Sequence, residues 1–255
     1  MAAPSEARSA VGDVPRGMRI VFSRKGFDSG SGGGSSPIVD GKPISLPIPD
    51  TKGIARTTYG DLGLGELAEE ASRGAYGADS LCHHDPLFTG DGRCLFGQVG
   101  AAQTHLANQD VGVGDIFLFF GLFAGEDGER HHRIFGYLRV AAVHRLAEGT
   151  PEHLEGSSHP HVLGMHGSND TIYGGEGRQA RFASEALRLT APGGPLTLWQ
   201  KPAWLKPGGL SYHGRRDRWL PGGRLRSVAR GQEFVANVGR RKAPREWLER
   251  ILDEF

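Results

Sequence analysis

The chain of 255 residues holds only two cysteines, Cys82 and Cys94, too few for the disulfide framework of a small secreted domain. A reducing, cytoplasmic setting is therefore expected. A zinc site built from one or both cysteines with neighbouring histidines would lack the usual CxxC spacing. No apolar run approaches the roughly 20 residues that a bilayer-spanning helix needs. The opening MAAPSEARSAVGDVPRG contains no apolar segment of signal-peptide length. Residues 1–17 are thus expected to be a disordered lead, with the fold starting at Met18 and no membrane association. Several motifs are also missing. GxxxxGK[ST] and a GxGxxG that opens a helix are both absent, which argues against a conventional nucleotide-binding fold. There is no HExxH and no nucleophile elbow, so motif logic names no reaction. No cofactor or metal is assigned from the residues. What is abundant is glycine and proline, 40 and 15 residues, which predicts long loops around a core that a chain of this length can readily bury.

The two most apolar stretches are Ile116–Phe123 and Ile134–Val143, separated by the polar GEDGERHHR. Both are strand-length and aromatic or β-branched, and the polar turn between them opens on glycine, which predicts an antiparallel hairpin. The near-continuous IFLFF predicts a central strand covered on both faces. MRIVFS at Met18–Ser23 predicts a first strand, and ISLPI at Ile44–Ile48 a proline-interrupted edge strand. LGLGELAEEASR at Leu62–Arg73 predicts a helix stopped by Gly74. AAQTHLANQ predicts a short helix, and SVARGQEFVANV at Ser227–Val238 a late strand or two short ones. Trp247, Leu248, Ile251, Leu252 and Phe255 recur at helical spacing after Pro244 and predict a C-terminal amphipathic helix. The sum is an α+β fold: a single domain with a central mixed, mainly antiparallel sheet, long Gly/Pro-rich loops and a C-terminal helix.

Net charge is +1, but residues 201–255 carry 13 Lys+Arg against 6 Asp+Glu, a net of +7. Trp199, Trp204, Tyr212, Trp219 and Trp247 lie in or beside this basic quarter. Cations next to aromatics suit phosphate contacts and base stacking. The same tryptophans equally suit the anchors of a compact core.

Four of the 11 histidines fall in two clusters, His83 and His84 before Asp85-Pro86, and His159 and His161 around Pro160. His166 and His213 are candidates to join them. His-x-Asp and His-x-His place alternate residues of an extended segment on one side. His83, Asp85, His159 and His161 are therefore the candidate catalytic group, able to bind a metal or supply an acid and a base near neutral pH. Taken singly, each histidine also fits a role in capping a turn. The segment RKGFDSGSGGGSSP after the first strand can form an anion nest of backbone amides, which makes Ser23, Arg24, Lys25 and Asp28 candidate phosphate ligands. Arg230, Gln232 and Glu233 are costly to bury unless paired. They predict either a site that reads a planar hydrogen-bonding ligand such as a base, or an internal Arg–Glu pair.

MRIVFSRKGFDSG…SSPIVDGKPISLPIPD resembles the opening signature of the nucleotide modification associated domain, third family, found in bacteria and phages. HxDP at His83–Pro86, GAAQTHL, GVGDIFLFFGLF, IFGYL, HPH, TIY, LSYH (which contains Tyr212 and His213) and RGQEFV continue the resemblance in the same order. It covers the chain from Met18 to the C-terminal helix. Two features depart from the pattern: the loop SGSGGGSSP is longer and richer in glycine, and Leu87 stands where an acidic residue is expected. The resemblance implies a domain over residues 18–255 that works with systems making or handling modified bases in DNA. Its implied partners are a nucleotide or DNA and other DNA modification enzymes. The family name records an association and not a reaction. GDIFLFF with the returning IFGYLRV also resembles PUA-like barrels, which bind nucleic acid and modified bases. Three readings follow: an enzyme acting on a nucleotide or base, a non-catalytic reader of modified bases, and a scaffold for other modification enzymes.

Overall fold

The computed structural model describes residues 17–164, 167–229, 231 and 233–255. The lead expected to be disordered lies, except for Gly17, outside the described residues. In chain order the strands are β1 Met18–Arg24, β2 Ser36–Val39, β3 Lys42–Pro43, β4 Ile48–Pro49, β5 Cys82–His83, β6 Leu87–Phe88 and β7 Arg93–Gln98. After these come β8 Ile116–Ala124, β9 Arg130–Arg145, β10 Thr171–Gln179, β11 Leu198–Gln200, β12 Trp219–Leu220, β13 Arg224–Arg226 and β14 Glu233–Gly239. The helices are α1 Gly65–Ala71, α2 Gly100–Asn108, α3 Pro160–Leu163 and α4 Lys242–Leu252.

The main sheet runs β14-β1-β8-β9-β10-β7-β6, with β2 added against β8. Its pairs are antiparallel except β1 with β8 and β2 with β8. The mixed, mainly antiparallel α+β architecture expected from the residue pattern is what is found. β8 is buried along almost its whole length, and its side chains alternate between two cores as the strand period of two requires. Ile116, Leu118 and Phe120 face a core with Phe22, Trp199, Trp204, Leu225, Leu248, Ile251 and Phe255. Phe117, Phe119 and Phe123 face another with Val21, Phe96, Phe135, Leu138, Tyr173 and Val235. A third, smaller cluster of Phe27, Leu46, Tyr59, Ala68 and Cys82 sits beneath the loops between β1 and β5. This cluster supports the segment that carries His83.

Several expectations need their boundaries corrected. The strand at Ile44–Ile48 reduces to Ile48–Pro49, which pairs with Cys82–His83. The helix at Leu62–Arg73 begins only at Gly65, because Gly63 takes a positive φ and closes a turn onto Gly60. Among the described residues of Ser227–Val238, those from Glu233 onward form a strand. Both cysteines are free and buried. Burial is the main cause that pushes the Cys82 thiol up to about 12, and it raises Cys94 well above the usual thiol range. Among the described residues neither cysteine belongs to a group of three or more histidine, cysteine or acidic side chains close enough to share an ion, so the geometry gives the cysteine–zinc reading of the sequence no support.

Candidate functional site

β7 leaves the sheet toward a cavity of about 590 Å³ whose wall includes Arg24, Lys25, Asp28, Lys52, His83, Asp85, Gly97, Gln98 and His161. The first functional group is built around Asp85, which is buried. The Gly97 N–H donates to Asp85 Oδ1 at 3.0 Å, and His159 Nε2 lies 3.1 Å from the same oxygen. His159 caps the short helix α3, its Nδ1 accepting from the His161 N–H at 3.3 Å. With Nδ1 an acceptor, the imidazole proton sits on Nε2 and donates to Asp85. His161 in turn places Nδ1 2.5 Å from Oδ1 of the buried Asp170. His83 Nε2 stands 3.7 Å from Asp85 Oδ2, and the His83 and His161 rings lie 5.3 Å apart. Burial works against ionisation of Asp85. The hydrogen bond from His159, the nearness of His83 and the surrounding His159 and His161 imidazoles outweigh it and hold the carboxyl well below the usual carboxylate range.

These side chains come from three stretches of chain and converge because Gly97 has no side chain. A Cβ there would lie 2.3 Å from His161 Cδ2 and 2.9 Å from His159 Cε1. His83, Asp85 and His161 each offer one ligand atom, all within 4.8 Å of one another, and so form a group able to hold a metal ion. His84 points elsewhere, lining a second cavity of about 280 Å³ that also touches Asp85. Its burial, only partly offset by Asp85, lowers the imidazole's affinity for a proton.

The second group is centred on Glu233, which is 1% exposed. Ser23 Oγ, Lys25 Nζ and Gln98 Nε2 all donate to Glu233 Oε1, at 3.1, 3.2 and 2.8 Å, while Oε2 is buried without a partner. Lys25 Nζ also lies 4.2 Å from the Phe96 ring centroid, a cation–π contact. Gly97 and Gln98, adjacent on β7, tie the two groups together, one through Asp85 and the other through Glu233.

The remaining candidates are placed differently. Asp28 Oδ1 accepts from the Gly30 and Ser31 N–H groups at 2.7 and 2.8 Å. The loop's own carboxylate therefore occupies amides that the anion-nest reading would give to phosphate. Arg24 donates to the Ala229 carbonyl at 3.1 Å and sits 5.7 Å from the Phe120 ring centroid. His213 is fully buried; its Nε2 accepts from the Val228 N–H and its Nδ1 donates to the Ser211 carbonyl. Both nitrogens are used by backbone, and His213 is not among the residues that line the cavity. Tyr212 is 53% exposed, adopts φ +61° and packs against His105 with ring centroids 4.5 Å apart. It also borders Gly231 on the cavity wall. The tryptophans belong to the core, Trp199 and Trp204 buried and Trp219 and Trp247 packed against it. His166, Arg230 and Gln232 lie outside the described residues. Gln98, Gly97 and Asp170 were not singled out by the sequence: none sits in a motif, and only the pairing of β7 with β10 brings them to the histidines.

No curated protein and no solved structure matches the chain. The family model described as nucleotide modification associated domain 3 matches residues 19–237, from β1 through β14 and across every residue of both groups. The chain belongs to the nucleotide modification associated domain 3 family.

Proposed function

We propose that the protein is an enzyme of a nucleotide modification system, acting on a nucleotide or on a base in DNA held in the cavity between β1, β5 and β7. The observation that carries this reading is the buried Asp85 carboxyl among His83, His159 and His161 at a cavity wall that also bears Arg24, Lys25 and Lys52. An anion enclosed by imidazoles beside a cavity is a costly arrangement for stability alone and a common one for moving protons. In this reading Arg24, Lys25 and Lys52 face the phosphate, and Tyr212 stacks on the base. Glu233, with its unpartnered oxygen, stands behind Gln98 and Lys25 and sets their positions. Asp85 and His159 orient the reacting group, with His83 and His161 on either side of it.

Mass spectrometry of nucleosides from host or phage DNA tests this, comparing the intact gene with His83→Ala and Asp85→Ala. Loss of an unusual nucleoside, or accumulation of its precursor, is expected. An unchanged profile with folded, expressed variants would remove catalysis from this site.

A second reading, a non-catalytic reader of modified bases, is favoured by the exposed Arg216, Arg224 and Arg226 on the small β11-β13-β12 sheet and its flank. It predicts DNA affinity that falls steeply with salt, because each neutralised phosphate releases counterions. Under the enzyme reading, Tyr212→Ala weakens nucleotide binding by about 1–3 kcal/mol, the usual worth of one base–aromatic stack, without altering the fold.

A further inference from the structure

We propose that His83, Asp85 and His161 hold one divalent first-row transition-metal ion, with zinc or ferrous iron as the matching chemistry, and that His159 and Asp170 are its positioning residues. This deepens the reading of the cavity as a catalytic site and rests on it for its purpose, though not for its geometry.

The hydrogen bonds fix which atoms are available. Asp85 Oδ1 is already taken by the Gly97 N–H and by His159, which leaves Oδ2. His161 Nδ1 is taken by Asp170, which leaves Nε2. A metal-bound imidazole that gives its other nitrogen to a carboxylate is the usual arrangement around such ions, since it fixes the tautomer and raises the ligand's basicity. His159 uses both nitrogens, one toward the His161 N–H and one toward Asp85. It is therefore not a ligand but the brace between two of them.

His83 Nε2 to Asp85 Oδ2 is 3.7 Å, too long for a hydrogen bond. Two donors bound at about 2.0–2.2 Å to one ion stand roughly 3.3 Å apart. The gap thus suits an ion between the two atoms better than a proton. One ligand atom from each of the three residues lies within 4.8 Å of the other two, so closure onto an ion needs only side-chain movements. Two imidazoles and one carboxylate match the ligand set of catalytic zinc and of non-haem iron. All three residues line the cavity, so the remaining coordination positions open toward water or substrate. The absence of an acidic residue at Leu87 does not leave the set short. Leu87 pairs with Leu95 in the sheet, and His161 supplies the third ligand.

The test uses the full chain without an affinity tag, stripped with chelator and titrated with Zn²⁺ by calorimetry and with Co²⁺ by visible absorption. One equivalent of either ion is expected to bind, with cobalt bands of a mixed nitrogen–oxygen site. Asp85→Asn and His161→Ala should lose at least about 100-fold in affinity. Asp170→Asn should bind with affinity about 10- to 100-fold weaker while its cobalt spectrum still reports the same ligands. His159→Gln should keep stoichiometric binding. Circular dichroism confirms that each variant is folded. Folded wild-type protein that binds neither ion overturns the proposal, and so does stoichiometric binding that survives His161→Ala. If zinc binds as described but DNA nucleosides are unchanged when the gene is inactivated, the metal site stands and the enzyme reading falls. If the nucleosides change while no metal binds, the reverse holds.

Discussion

At Gly97 the backbone passes so close to two imidazoles that no other residue fits. Its φ is not in the left-handed region, so the requirement is space and not backbone conformation. Gly97→Ala is expected to leave the sheet folded but to displace the His161 and His159 rings, misaligning the Asp85 carboxylate. Metal affinity and turnover should fall at least tenfold, while the thermal midpoint moves by only a few degrees. Zinc calorimetry and a melting curve on the same sample check this, and unaltered affinity would show that the rings can move without consequence. Lys25 gives a different expectation. Its ammonium is the only cation among the three donors to the buried Glu233, and its side chain is just 11% exposed. Removing one partner of such a pair leaves an uncompensated buried charge. Lys25→Met should destabilise the protein by about 3 kcal/mol in urea unfolding, and Lys25→Met with Glu233→Gln should recover part of the loss. Additive losses in the double variant would show that the two side chains are not coupled.

Among elements, the ones legible in the sequence are those whose own pattern decides them. β8 and β9 are long and apolar and joined by a turn that holds Gly125 and Gly128, and α4 carries an apolar stripe at helical spacing. The site was legible only in its chemistry. HHDP and HPH announced four of its residues, but β5 is two residues long and α3 four, too short for any periodicity to reveal. Their convergence depends on the pairing of β10 with β7 and on Asp170, which the chain delivers from just before β10. In the glycine-rich loop the sequence could not show which acceptor the amides serve, because those of Gly30 and Ser31 are satisfied by the carboxylate of Asp28.

β9 also docks the small β11-β13-β12 sheet through His132. The His132 N–H donates to Thr190 Oγ1 at 2.8 Å, and its Nδ1 lies near the Leu196 carbonyl and the Trp199 indole N–H. Burial, aided by the positive charge of Arg24, lowers the His132 imidazole to about 4. The unfolded chain takes up this proton near 6.5, so below that pH it binds more protons than the folded state and stability falls as pH drops. The loss should run from about pH 6.5 to about pH 4, at no more than about 1.4 kcal/mol per unit, and then level off. His132→Gln should flatten that segment of the stability–pH curve in urea titrations at several pH values. An unchanged slope would assign the acid sensitivity to other groups.

At the scale of the molecule, the basic C-terminal quarter could have been a separate nucleic-acid-binding unit or part of the main core. The structure places its tryptophans in one continuous apolar cluster with β1, β8 and β9: Trp204 packs on Trp247 with ring centroids 5.4 Å apart, and Trp247 on Phe22 at 6.3 Å. Phe22 is followed directly by Ser23, Arg24 and Lys25, so β1 joins the C-terminal helix at one point to the candidate site at the next. A disturbance of α4 should therefore reach the cavity. Leu248 is buried in this cluster, and Leu248→Ala removes enough apolar contact to cost about 2–5 kcal/mol. If the two regions share one core, tryptophan fluorescence, circular dichroism and release of bound Co²⁺ should follow a single transition in urea, shifted to lower urea together in the variant. Separate midpoints, with fluorescence moving in Leu248→Ala while cobalt release stays in place, would mean that the C-terminal quarter unfolds on its own. Its arginines would then be free to serve a nucleic-acid partner independently of the cavity.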